Sequence, residues 1–308
     1  MREQLGEFLS GVLGRRVEVV SLSRISVGHS RAMYRAALQD GSSLIVRREQ
    51  GGVFGSSSAE EYRVMGGLHA AGYPVAEVVA YEPTGAVLGE PFFVMKDLGS
   101  GRPGADERVV DEGVARDFVR TMAQLHSIDP ASLPFTHVPM DPSQATHLQI
   151  DRWHGIYRSA SEVSVPLLDD AARWLHRHAP PLERLATVHG DAGPANFVHD
   201  EGKVVAITDW EFVHPGDPAE DWMFCIALRG ATTMSEDRWL QLFAEETGVH
   251  YDPPTIRYWK AFNFFKGACA NRTTLAIFER GTNRNPNMAI IGTTLHQLFL
   301  RRLVALID

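Results

Sequence analysis

The stretch Thr187-Val-His-Gly-Asp-Ala-Gly-Pro-Ala-Asn-Phe-Val-His199, followed after a short gap by Val204-Val-Ala-Ile-Thr-Asp-Trp-Glu211, decides how the chain is read. It sets a carboxylate, Asp191, and a side-chain amide, Asn196, on one loop that Pro194 stiffens. A second carboxylate, Asp209, stands at the end of an apolar strand, where it would face the same cavity. These are the parts that phosphoryl transfer from a magnesium nucleotide needs: one carboxylate to accept or orient the proton of the attacking hydroxyl, and hard oxygen ligands for Mg²⁺. Glu211 is close enough to Asp209 in sequence to stand behind it, and strand alternation puts both on one side only if the strand continues.

Toward the N-terminus the pattern is β-rich. Leu5, Phe8, Leu9, Val12 and Leu13 recur at helical spacing and predict a short amphipathic helix. Residues 24–30 form a Ser/Gly loop between two strand candidates, and Asp40-Gly41 marks a hairpin turn before a strand over 43–47. Residues 60–71 read as a helix with Tyr62, Met65 and Leu68 on one face and Gly72 as its stop. A buried-looking strand over 91–95 leads into a Gly/Pro-rich stretch at 99–104, which marks the expected boundary between domains 1–98 and 99–308.

Beyond that boundary Val110, Val114, Phe118, Met122 and Leu125 form a helical stripe up to His126. Strand-like pieces at 186–189, 197–199 and 203–208 interrupt an otherwise helical pattern. The order predicts an α+β fold of two lobes, β-rich first and mainly helical second. Asp217-Pro218 with Glu220 reads as a helix start with a capping box. Glu220 and Asp221 follow on that helix, facing either substrate or solvent. The run Tyr258, Trp259, Phe262, Phe264 and Phe265 reads as core.

Composition narrows the function classes. With 308 residues, 44% hydrophobic and 22% charged, the chain is ordinary globular protein and not mainly disordered. Cys225 and Cys269 are too few and too far apart for a disulfide scaffold or a four-cysteine zinc site, and both read as buried thiols. Lysine occurs only at 96, 203, 260 and 266, and the sole Gly-Lys pair is followed by Val204, so a P-loop is absent. There is no His-Glu-x-x-His motif, no Gly-x-Ser-x-Gly elbow and no dinucleotide fingerprint after the first strand. The net charge of -8 argues against nucleic acid as a partner. That charge is uneven: residues 209–255 hold ten acids and two bases, residues 256–308 eight bases and two acids. The acidic N-terminus is unlike a signal peptide, and no apolar stretch reaches the ~18 residues of a membrane span. The expectation is a cytoplasmic chain with no membrane partner.

His189-Gly-Asp191 with Asn196, and Asp209-Trp-Glu211, resemble the catalytic and metal-binding loops of the aminoglycoside phosphotransferase family and its kinase-like relatives. The resemblance implies a two-lobed protein-kinase-like fold, ATP as phosphate donor and a small-molecule hydroxyl as acceptor. It implies Asp191 as catalytic base and Asn196 and Asp209 as Mg²⁺ ligands. Where the family generally carries a strand-end lysine, this sequence has Arg47, implied to grip the nucleotide phosphates and to pair with Glu61 on the following helix. A guanidinium is always charged and grips phosphate bidentately, so the role survives the change. Arg48 is the alternative for that position.

Gly28, His29 and Ser30 are implied to cover the phosphates. Met95 is placed near the adenine ring, with the backbone of Asp97 and Leu98 bonding its edge. His189 is a supporting residue by the same resemblance, and Glu211 and Asp221 are supporting or substrate-facing candidates by their place in the sequence. Within the family the chain is most similar to the group that includes domains fused to acyl-CoA dehydrogenases, several of which have hydroxylated acyl substrates. The acceptor is accordingly an aminoglycoside-like antibiotic or another hydroxylated metabolite, a hydroxyacyl-CoA among them. The rival reading is a pseudokinase, a nucleotide-binding regulator that keeps the fold. Arg47 favours it, and the intact Asp191, Asn196 and Asp209 count against it.

Overall fold

Five antiparallel strands dominate the N-terminal part of the computed structural model, which describes residues 1–25, 32–49, 58–99, 102–103, 111–139 and 141–308. The first helix, α1 (Arg2–Leu13), leads into β1 (Val19–Ile25), β2 (Ala32–Leu38) and β3 (Ser43–Arg48). Helix α2 (Ser58–Ala70) follows, then β4 (Val78–Glu82) and β5 (Phe92–Lys96). The strands lie in the order β1-β2-β3-β5-β4. At the β2–β3 turn Gly41 takes φ 84°, and Asp40 accepts the Ser42 N–H at 3.0 Å, so the turn uses the two residues that the sequence offers for it.

Strand β3 is central and covered on both faces, with Leu44, Ile45, Val46 and Arg47 all buried. Leu44 and Val46 pack into a small core with Leu5 and Leu9 of α1 and Phe92 and Val94 of β5. Full burial of a leucine side chain is worth about 1.5–3 kcal/mol, so α1 is firmly seated on this face. Because side chains alternate along a strand, Arg47 projects to the opposite face, toward α2. Arg48 returns to the first face, where its Nη1 donates to the Leu88 carbonyl at 3.1 Å. Alternation thus separates the two candidate arginines.

The remaining chain is mostly helical. In order come β6 (Arg102–Pro103), α3 (Glu112–Ser127), α4 (Ser143–Ala160), α5 (Pro166–His178), β7 (Ala186–Val188), β8 (Phe197–Asp200) and β9 (Lys203–Ile207). Then follow β10 (His214–Gly216), α6 (Ala219–Phe224), α7 (Glu236–Thr247), α8 (Pro253–Glu279), α9 (Pro286–Ile290) and α10 (His296–Ile307). Asp111 caps α3 through the Gly113 N–H at 2.8 Å, and Val114, Phe118, Met122 and Leu125 of the predicted stripe are buried, Val110 lying outside the described residues. Most of the aromatic run on α8 is fully buried, in one large core that extends to Val64 and Phe93 in the N-terminal part. The Ile207 N–H donates to the Pro74 carbonyl at 2.9 Å, which ties the strand leading to Asp209 to the segment following α2.

Two sequence expectations are corrected. Glu220 does not close a capping box: Pro218 stands at the N-cap of α6, the Asp217 carboxylate just before it accepts the Ala219 N–H at 2.8 Å, and the Glu220 carboxylate is drawn away to His214 and Lys266. Residues 286–307 do form one helical run long and apolar enough to cross a membrane by length and composition. The cause is that Thr, Gly and Gln interrupt the apolar residues without adding charge until Arg301.

Candidate active site

The catalytic-loop sequence begins where β7 ends. His189 accepts the Asp191 N–H on Nδ1 at 3.1 Å and donates from Nε2 to the Thr208 carbonyl at 2.9 Å. Both ring nitrogens are therefore in use and the tautomer is fixed, which makes this histidine a brace rather than a proton carrier. Gly190 has φ 82°, and a Cβ there would lie 2.7 Å from the Phe212 carbonyl oxygen, so the loop needs glycine at this point.

Asp221 holds the loop from beneath. It accepts the His189 and Gly190 backbone N–H groups, each at 2.8 Å, and meets His126 Nε2 at 2.9 Å. Burial pushes its carboxyl up, but these donors, His126 foremost, hold it below the usual carboxylate range. Lys266 on α8 completes the support. Its Nζ donates to the Gly190 carbonyl and pairs with Glu220 at 2.7 Å, and the other Glu220 oxygen meets His214 Nε2 at 3.1 Å. Asp221 and Glu220 are thus buried acids taken up by the chain's own donors, and neither faces solvent.

Asp191 is 5% exposed. Asn196 donates from Nδ2 to the Asp191 carbonyl at 2.8 Å and to its Oδ2 at 2.7 Å, so its Oδ1 is the amide atom not engaged by Asp191. The Thr208 N–H donates to the Asn196 carbonyl at 2.9 Å, which brings the loop beside the residue preceding Asp209. Arg229 adds a contact that the sequence reading missed: Nε lies 3.1 Å from Asp191 Oδ1 and Nη2 lies 2.6 Å from Oδ2. Nothing near Asp191 in sequence announces a partner 38 residues away. Lys266 did carry a signal, since a lysine among core aromatics on one helix must be paired.

The second cluster centres on Arg47, whose side chain is 6% exposed. Its Nε lies 3.1 Å from Glu61, and its Nη2 lies 2.8 Å from Asp209 and 3.8 Å from Glu211. Burial opposes the charge, yet the three acids raise its pKa further above the ordinary arginine value. Asp209 is held below the usual carboxylate range against the effect of its own burial, chiefly by Arg47. Asp209 and Glu211 do not converge by strand alternation. The strand stops at Ile207, Asp209 takes a left-handed φ of 66°, and a short 3₁₀ turn from Trp210 to Phe212 carries Glu211 round to Arg47. Asp is among the residues that tolerate this conformation, and a strained non-glycine φ is a feature of functional turns.

Of the other sequence candidates, Met95 sits on β5 opposite Ile45 of β3. The Asp97 side chain is occupied by Arg35 Nε at 2.6 Å and Ser43 Oγ at 2.7 Å, which fixes the segment that carries Leu98. Gly28, His29 and Ser30 lie outside the described residues.

The donor set fits a hard divalent cation. Asn196 Oδ1 and the 35%-exposed Asp209 side chain are an amide oxygen and a carboxylate on segments joined by the Thr208–Asn196 backbone bond. Mg²⁺ commonly takes one or two carboxylates and completes its shell with phosphates and water. No group of three or more His, Cys, Asp or Glu side chains able to hold a metal occurs among the described residues, so nucleotide oxygens would have to supply the remainder.

A five-stranded antiparallel sheet followed by a mostly helical part defines a kinase-like phosphotransferase fold. Residues 21–259 match the family model of the phosphotransferase enzyme family APH, and the chain belongs to that family. It is similar to acyl-CoA dehydrogenase family member 11 of Gallus gallus, at 27% identity over 68% of this chain and 30% of the relative. Member 10 of Mus musculus is 27% identical over 87% of this chain and 27% of the relative, so the chain spans under a third of either. Among solved structures, a Ralstonia eutropha protein provisionally described as an aminoglycoside phosphotransferase aligns with TM-score 0.72 and 21% identity, over 99% of this chain and 97% of that one. A thermostable mutant of aminoglycoside phosphotransferase APH(4)-Ia, solved with ADP and hygromycin B, aligns with TM-score 0.65 and 13% identity over 97% and 98% of the two chains.

Proposed function

We propose that this chain is an ATP-dependent O-phosphotransferase acting on a small-molecule alcohol. The observation that carries the reading is the joint placement of Asp191, Asn196 and Asp209. Asn196 binds Asp191 through its amide nitrogen, and the Thr208–Asn196 backbone bond sets Asp209 alongside. In this reading Asp191 orients the acceptor hydroxyl and takes its proton. The acceptor oxygen forms a bond to the γ-phosphorus as the bond to ADP breaks. Asn196 and Asp209 are the residues that would hold Mg²⁺, which supplies charge neutralisation at the phosphates.

Arg47 is positioned by Glu61 to turn from Asp209 onto the phosphates when they arrive. The loop containing Gly28, His29 and Ser30 and the hinge with Met95, Asp97 and Leu98 complete the nucleotide site. Residues 1–98 form the nucleotide lobe in this proposal and residues 99–308 the acceptor lobe. The acceptor candidates are an aminoglycoside-like polyol, a hydroxyacyl-CoA suggested by the acyl-CoA dehydrogenase relatives, and amino alcohols.

The test is phosphorylated product, detected by mass, from Mg·ATP and a panel of these alcohols. Asp191→Asn keeps shape but cannot take the proton, so product formation should fall by ~10²–10⁴-fold while nucleotide affinity stays close to that of the parent chain. Product formed by Asp191→Asn at the parent rate would refute the assignment. The pseudokinase reading gains from one observation, the saturation of Arg47 by three acids. It predicts nucleotide binding with no transferred phosphate on any alcohol, and affinity indifferent to Arg47→Ala.

A further inference from the structure

Arg229 stands directly on the proposed base, and the fold is built to put it there. It ends a π-helical turn, Cys225–Arg229, closed by the Gly230 N–H on the Cys225 carbonyl at 2.6 Å. Trp239 pins that turn by donating from Nε1 to the Gly230 carbonyl at 3.1 Å. Such turns inside helices are rare and concentrate at functional sites. Beneath the arginine stem lies Gly193 of the catalytic loop. A Cβ at Gly193 would fall 2.1 Å from Arg229 Cβ, so the loop has room for this side chain only because residue 193 has none.

The contact occupies the base. Asp191 Oδ2 already receives both Asn196 Nδ2 and Arg229 Nη2, and Oδ1 receives Arg229 Nε. An attacking hydroxyl needs a lone pair that these donors crowd. The Asp191 side chain is 7% exposed against 38% for that of Arg229, so the guanidinium lies on the solvent side and is the movable partner. Pulling it off without replacement would leave a buried carboxylate and a guanidinium both unpaired, which is strongly unfavourable. An acceptor with a carboxylate or phosphate beside its hydroxyl solves both problems at once. Its anion takes the guanidinium, bidentately, and its hydroxyl takes the vacated carboxylate oxygen. A neutral alcohol offers the guanidinium nothing, and an ammonium adds like charge beside it.

We propose that Arg229 is a latch on the Asp191 carboxylate that an anionic hydroxyl compound releases, which makes Arg229 a specificity-determining residue. The inference rests on the phosphotransferase reading. A latched base also protects ATP from water when no acceptor is present.

The test measures Mg·ATP hydrolysis without any alcohol, in sodium chloride and in sodium propionate at equal ionic strength. Propionate carries the anion but no hydroxyl. It should release the latch and let water reach the base, raising parent-chain hydrolysis roughly tenfold, a modest share of the ~10²–10⁴-fold that a positioned base contributes. Arg229→Gln should start near the raised rate in chloride and ignore propionate, while Arg229→Lys, which cannot fork onto the carboxylate, should fall between. Parent-chain hydrolysis unchanged by propionate would overturn the latch, and that arm needs no variant to fold. Arg229→Gln that folds, binds nucleotide and hydrolyses at the parent chloride rate would overturn it equally. Hydrolysis that Asp191→Asn leaves intact in every condition would instead overturn the phosphotransferase reading, and the latch with it.

Discussion

Two arginines each hold an aspartate of the cleft, and they hold them differently. Arg47 is 6% exposed and faces Glu61, Asp209 and Glu211, three acids around one buried guanidinium. Arg229 is 38% exposed and makes two parallel contacts to Asp191, with Asp209 acting on its charge from farther off. The first arrangement holds more negative than positive charge, a surplus that Mg²⁺ would meet in the proposed reading. The second is neutral as a pair and open on one side, so it exchanges partners without disturbing the core. In the proposed reading Arg47 stays anchored by Glu61 on the nucleotide side while it exchanges Asp209 for phosphate, and Arg229 on the acceptor side is the more readily released.

The largest effect expected from breaking this contrast is at Arg47. Arg47→Ala strands three buried or half-buried acids, and losing one partner of a buried pair typically costs about 3–5 kcal/mol. Denaturant unfolding should show a loss of that order at neutral pH. The deficit should shrink as pH falls through the carboxylate range, because protonated acids no longer need the guanidinium. A deficit independent of pH would mean that Arg47 acts by packing rather than by charge.

Asp221→Asn should come next, at about 1–3 kcal/mol, because an amide cannot accept all three donors from His189, Gly190 and His126. The Asp221 carboxyl is held below its ordinary value, so its contribution is fully present above the unfolded pKa of ~3.9 and fades as pH drops through the folded value. Thermal melts of parent and variant should stay fully separated above about pH 4 and draw together only as pH falls from there through the lowered folded value. Convergence at high pH instead would reverse the sign of the assignment. Arg229→Gln is expected to cost less than Arg47→Ala, because the Gln amide can still donate to the Asp191 carboxylate and the charge removed sits on the 38%-exposed partner. An equal or larger loss would place Arg229 with the anchored charge and erase the distinction between the two sides.

How much of this was legible in the sequence depended on distance along the chain. The loop from His189 to Asn196 could be read because its chemistry is local, with base and amide five residues apart. The Arg47–Glu61 contact was implied by the family resemblance, which pairs a strand-end basic residue with an acid on the following helix. Arg47 rather than Arg48 became decidable only when the sheet showed which face meets α2. The convergence of Asp209 and Glu211 was invisible because it depends on one left-handed residue, which has no period to detect. Arg229 was invisible for another reason. Its place is set by a π-turn and by the missing side chain of Gly193, two features with no common sequence pattern. Glu220 was misread because its spacing from Asp217 satisfies a local capping rule, and the buried Lys266 and His214 compete more strongly for its carboxylate.

The most direct test of the central claim is a crystal structure of this chain with Mg²⁺ and AMP-PNP. The account predicts a metal bound to Asn196 Oδ1 and the Asp209 carboxylate, Arg47 turned from Asp209 onto the phosphates, and the γ-phosphate facing Asp191. A nucleotide seated away from Asp191, or a metal whose ligands include neither Asn196 nor Asp209, would contradict it.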